Sequence, residues 1–241
     1  MMDSAIFTDN FTFQIGNLEH LLVILVFAVG GFFLIYYSKY YLNKKSQERI
    51  GTLFAYSLSI TVILWSSTKI YLGTFNLQAD LPLNLCNLVA LTAPILTKTK
   101  KKIYYEIFFF WVFAGTLQGV ITPTLEHGFP HFDFLKYWFI HAGLIVFILY
   151  MTFIYHFEPT FKSVLKSFYG IQIYLVIMLI VNHFIGSNYF YLNAKPNSGS
   201  LLDFFGDWPN YIIVAELIMV PFFSLFYLPF YFSRKKVLIR N

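Results

Sequence analysis

The stretch LEHLLVILVFAVGGFFLIYYSKYYL, residues 18–42, decides the class of this protein. Its only charged groups, Glu19 and Lys39, sit close to its two ends. A helix of this length exceeds the roughly 30 Å of hydrocarbon in a bilayer. The rest of the chain is built alike. Of 241 residues, 58% are hydrophobic and only 12% charged, and mean hydropathy is +0.62. A soluble domain is about half apolar and about a quarter charged. So few charges cannot cover that much apolar surface in water, which excludes a soluble enzyme, a disordered chain and a nucleic-acid binder. Nucleic acid is not an expected partner, and the net charge of +5 reflects membrane topology. Residues 1–17 carry Asp3 and Asp9 and no basic residue, so they do not read as a secretory signal.

Outward from residues 18–42, six more apolar runs cover about 52–72, 81–97, 103–122, 134–157, 164–185 and 208–232. Each must satisfy its own backbone hydrogen bonds in lipid, so each reads as a helix. Alternating strands of a membrane barrel are absent from the pattern. The third run is the shortest and least apolar, with Asn84, Asn87 and Pro94 in it. Of 17 basic residues, 14 fall in the four segments after runs one, three, five and seven; Lys69, Lys136 and Lys195 are the exceptions. The positive-inside rule then places the N-terminus outside and the C-terminus in the cytoplasm. Without the third run, the Lys98–Lys102 cluster would fall outside. The expectation is an all-α, polytopic bundle of seven transmembrane helices forming a single membrane domain over 1–241. No linker or internal repeat divides it, and the two longest loops, at about 123–133 and 186–207, are both outside.

Polar residues inside spans are costly, so their positions are informative. Cys86 and Asn87 fall just over one turn into run three, and Gln118 one turn from the end of run four. His141 falls about two turns into run five, His183 at the end of run six, and Glu216 about two turns into run seven. At 1.5 Å per residue they lie about 5–12 Å below the outer surface. The inner leaflet holds fewer polar groups. This describes a polar pocket open to the outer leaflet. Each residue has two readings. Cys86 is a nucleophile, or part of a small-residue stripe with Ala90 and Ala93. His141 is a general base, or a hydrogen-bonded histidine between helices. Glu216 orients His141, takes up a proton itself, or merely faces a vestibule. His183 is a site residue or structural. The loop Glu126-His127-Gly128-Phe129-Pro130-His131-Phe132-Asp133 has zinc-binding residue types, but its spacing matches no closed site. No metal and no cofactor are expected. With one cysteine, no internal disulfide is possible.

Four strings carry a resemblance: LPLNLCNL (81–88), FFFWVFAGTLQGVITP (108–123), FPHFDFLKYWFIHAGLIV (129–146) and NYFYLNAKPNSGSLLDFFGDWPNY (188–211). Over about residues 50–232 the chain resembles bacterial YwaF-type integral membrane proteins. These are similar to the eukaryotic transmembrane protein 164 family of acyltransferases and, more distantly, to the androgen-induced-gene hydrolases of fatty-acid esters. The resemblance implies acyl transfer between membrane phospholipids through a Cys with a His partner, which match Cys86 and His141. Asn84 stands where a His is expected in many bacterial relatives. The location it implies is the cell membrane, a bacterial plasma membrane. A lipid acyltransferase or hydrolase is thus one reading, with Asn87 or Gln118 on the oxyanion and Lys195 on a head-group phosphate. The alternative is a transporter or small-ligand-binding protein without covalent chemistry, using Glu216, His141 and His183. Retinal binding is excluded, because the last run has no lysine between Trp208 and Phe232.

Overall fold

The computed structural model describes residues 7, 12–196 and 199–240. Asp3, Asp9, Asn197 and Ser198, used above, lie outside the described residues. The described chain is helical, with one isolated bridge, Thr12 to His127, as its β pairing. Seven helices carry the fold: α1 (Leu18–Tyr41), α2 (Lys44–Tyr71), α3 (Leu85–Thr99), α4 (Lys102–Ile121), α5 (Phe132–Phe153), α6 (Phe161–Ile185) and α7 (Asn210–Arg240). All but α3 are long and apolar enough to cross a membrane. This is a multi-pass membrane protein. At 15 residues, α3 falls short of the usual spanning length.

Local chemistry explains most boundaries. Asn17 and Asn43 cap α1 and α2, their side chains accepting from His20 N and Ser46 N. Thr160 and Ser163 form a reciprocal capping box that starts α6, three residues before the expected 164. Lys44 opens α2 well before the expected 52, because the polar segment 44–51 continues the helix past the apolar run. The third element departs most. The apolar run covers 81–97, but residues 81–84 form a turn, closed by Leu83 N on Leu81 O. Cys86 is therefore the second residue of its helix rather than a turn inside it.

Packing is uneven. The side chains of α1 are mostly exposed, as at Leu22, Val26 and Phe33, which suits a lipid-facing helix. It meets α5 closely at Gly31, where a Cβ would fall 2.7 Å from Val146 Cγ2. The core lies between α2, α3, α4 and α5: Leu58, Val62, Val89, Ala90, Ala93, Phe110, Ile140, Leu144 and Phe147. Small residues on α3 allow that approach. Within α4, residues Val112–Thr116 form a π-helical segment. Such bulges are frequent at functional sites, and this one carries Gly115, where a Cβ would meet Leu85 Cδ2 at 3.4 Å.

Candidate active site

A cavity of about 580 Å³ opens at the end of the bundle where α3 begins. Its wall includes Trp65, Cys86, Asn87, Lys136, His141 and Glu216. Residues of the π-helical segment and of the segment 190–205 complete it. That long loop is thus a wall of the cavity. It is held by Tyr211 Oη on Tyr191 O at 2.6 Å and by Trp208 Nε1 on Leu192 O at 3.0 Å.

Cys86 owes its position to the turn before it. Asp80 accepts from Lys69 Nζ and from Asn76 N, both at 2.8 Å. Leu81 N donates to Tyr189 Oη at 3.0 Å, and Leu83 O accepts from Tyr174 Oη at 2.7 Å. These four ties fix where α3 starts. Asn84, its N-cap, makes no side-chain cap bond among the described residues, so no side chain of that residue closes off the first turn of α3. A helix N-terminus favours negative charge, here beside a thiol.

His141 lines the same cavity wall as that thiol. Its Nδ1 lies 2.9 Å from Tyr137 O. A carbonyl only accepts, so Nδ1 carries the proton and Nε2 keeps its lone pair. The ring stacks on Tyr137, with centroids 4.0 Å apart at 19°. Tyr137 is itself fixed: its Oη donates to Gly119 O at 2.8 Å and accepts from Thr124 N at 3.3 Å. A Cβ on Gly119 would stand 2.6 Å from His141 Cδ2 and 3.1 Å from Nε2. The second glycine of the Gly115–Gly119 pair therefore makes room for the imidazole.

The other expected site residues divide. Asn87 is 1% exposed and lines the cavity, and its Oδ1 has no hydrogen-bond partner among the described residues. Gln118 also lines the cavity. Glu216 does too, but it accepts from Gln172 Nε2 at 2.6 Å, and it is Tyr137 O that occupies the orienting position on His141. His183 is exposed and away from the cavity wall. Lys195 bonds Gly206 O at 3.1 Å and lies 3.6 Å from Asp207, so it braces the loop.

Sequence reasoning missed Lys136. It stood out only as an exception to the charge pattern. It lines the cavity, its Nζ 4.5 Å from the Trp65 ring centroid, and no described carboxylate pairs with it. Lys69 meets the same indole at 4.7 Å but is paired with Asp80. Lys136 thus supplies a cation with no described carboxylate partner on the wall of the cavity that also bears the thiol and imidazole.

The chain belongs to the TMEM164 family, whose sequence model matches residues 14–227. The match extends through the first helix, which the four strings did not reach. No curated protein and no solved structure matches the chain.

Proposed function

We propose that this member of the TMEM164 family moves acyl chains between phospholipids through a thioester on Cys86. The observation that carries the reading is the imidazole of His141, held with its free Nε2 lone pair on the cavity wall that also bears the cysteine. The thiol gives its proton to Nε2, and the sulfur attacks the ester carbonyl carbon of a bound phospholipid. The resulting oxyanion is met by the Asn87 side chain and the open N–H groups at the start of α3. The intermediate collapses, the carbon–oxygen bond breaks, and the leaving alkoxide takes the proton from His141. A second lysolipid then gives its hydroxyl proton to His141 and attacks the thioester, releasing the thiol; water in its place gives hydrolysis. Lys136, in place of Lys195, holds the head-group phosphate. The apolar wall favours transfer by limiting water.

In this reading the protein is one membrane domain over residues 1–241, in a bacterial plasma membrane. It has seven spans, the N-terminus outside and the C-terminus cytoplasmic. The short α3 completes its crossing with the preceding turn, and the distribution of 14 of 17 basic residues supports the orientation. The cavity then faces the outer leaflet. The test is reconstitution in liposomes with diacyl phospholipid and an isotope-labelled lysolipid, followed by mass spectrometry. Label should enter diacyl lipid with the wild type and not with Cys86→Ala or His141→Ala. Equal transfer by all three would end the proposal.

A further inference from the structure

We propose that His127, His131 and Asp133 form a binding site for a divalent transition metal, zinc by its ligand chemistry, behind Trp65 of the cavity wall. One donor atom from each residue lies within 4.8 Å of the others. Sequence spacing hid this, because a turn closed by His131 N on Gly128 O, at 2.9 Å, folds the loop back on itself. The imidazoles lie close and tilted to one another, with centroids 4.1 Å apart at 37°.

Three details point to a cation. First, His131 is the N-cap of α5, a position that favours Ser, Thr, Asp or Asn. Its Nδ1 accepts from Asp133 N at 3.1 Å, so this nitrogen is unprotonated and its lone pair, now held by the amide, is the one a metal takes over. Second, Asp133 Oδ2, another lone-pair donor, faces that nitrogen at 3.9 Å. Third, Asp133 is oriented from behind: Trp65 Nε1 donates to its Oδ1 at 2.6 Å, leaving Oδ2 for the cluster. An outer hydrogen bond on a ligating carboxylate is how metal sites fix their ligands. Neutral imidazole and carboxylate are zinc donors, and three protein ligands leave a fourth position open. Tetrahedral bonds of about 2.1 Å want donors about 3.4 Å apart, so the cluster tightens by about 1.4 Å at most. Both imidazoles engage other groups in the protein, so zinc exchanges partners there. Bound metal would staple the loop to the first turn of α5, next to Trp65 and Lys136. The proposal stands on this geometry alone and does not depend on acyl transfer.

The test uses the full chain, purified without a polyhistidine tag, stripped with chelator and held in lipid nanodiscs. Zn²⁺ is titrated against a chromophoric chelator, and Co²⁺ is added separately to read coordination from its visible spectrum. Wild type should bind one equivalent, give a tetrahedral or five-coordinate cobalt spectrum, and unfold at higher temperature with zinc. His131→Ala and the half-buried His127→Ala should each weaken binding by about tenfold or more. His183→Ala should leave it unchanged. Metal-free unfolding temperatures show which variants fold, and His127→Ala decides the question if His131→Ala does not. Absence of a saturable equivalent, or wild-type affinity in folded His127→Ala, would overturn the site.

Discussion

The two ends of the helix bundle treat polar groups in opposite ways. Where α3 ends, the buried carboxylate of Glu106 accepts from Ser163 Oγ at 2.8 Å and Lys166 Nζ at 2.6 Å. Nearby, Tyr105 and Thr152 hydroxyls meet at 2.8 Å, Lys100 pairs with Glu48 at 2.7 Å, and Arg234 donates to Glu158 at 3.1 Å. Most polar groups there answer one another, with the buried Ser38 Oγ as an exception. Where α3 begins, the Asn87 Oδ1, the Lys136 ammonium and the His141 Nε2 are all left with spare capacity around one cavity. Unsatisfied buried groups cost stability, so a fold that gathers them at one end spends its polar residues there on something other than cohesion. The first end holds the helices together, and the second is where the proposed function places the ligand and its chemistry.

The strongest test of that division removes the thiol. Cys86→Ala should lower acyl transfer by about a thousandfold or more, as loss of a nucleophile does elsewhere. Its unfolding temperature should stay close to wild type, because a half-buried sulfur at a cavity wall contributes little packing. Large loss of stability in that variant would erase the distinction between the ends. Gly119→Ala comes next. The added methyl must displace His141, and a misplacement of about 1 Å can cost about a hundredfold in rate. Transfer should fall by that order while lysolipid still binds, as followed by turnover and by equilibrium binding of a labelled lysolipid. A fully active Gly119→Ala would mean that the imidazole position is not critical.

The cohesive end was largely legible in the sequence. Apolar runs of about 20 residues and the Lys98–Lys102 cluster suffice to outline helices and loops, because bilayer thickness and charge asymmetry act on sequence directly. The reactive end was legible only in its residue types. Cys86 and His141 could be named from depth and from family resemblance, but the start of α3 depends on Asp80, Tyr174 and Tyr189, which lie up to about a hundred residues away in the chain. The π-helical segment follows from packing and has no local code. Lys195 and Lys136 are both lone lysines on one side of the expected topology. Only tertiary structure shows one engaged by Gly206 and Asp207 and the other facing the cavity.

At the opposite end the expected effect is smaller and of another kind. Glu106→Gln keeps the shape but removes the charge that meets Ser163 and Lys166. Losing such hydrogen bonds at a buried group costs about 1–3 kcal/mol. The variant should unfold earlier on heating in detergent, while transfer per folded molecule stays at the wild-type level. A variant of normal stability with impaired transfer would show that the polar groups at this end also serve the chemistry.

The smallest effect sharpens the comparison most, because it separates binding from chemistry within the cavity. Lys136 has no carboxylate partner among the described residues, so Lys136→Gln leaves no stranded opposite charge there. The change removes the attraction for an anion together with the cation–π contact to Trp65, which keeps its hydrogen bond to Asp133. A charge-assisted contact to phosphate is worth about 1.5–3 kcal/mol, so KM for phospholipid should rise by about tenfold or more. The maximal rate should hold, because thiol and imidazole are untouched. Arginine at the same position should restore most of the KM, since it keeps the charge. A fall in kcat at constant KM would instead tie the ammonium to the reacting sulfur, making Lys136 part of the reaction rather than an anchor for its substrate.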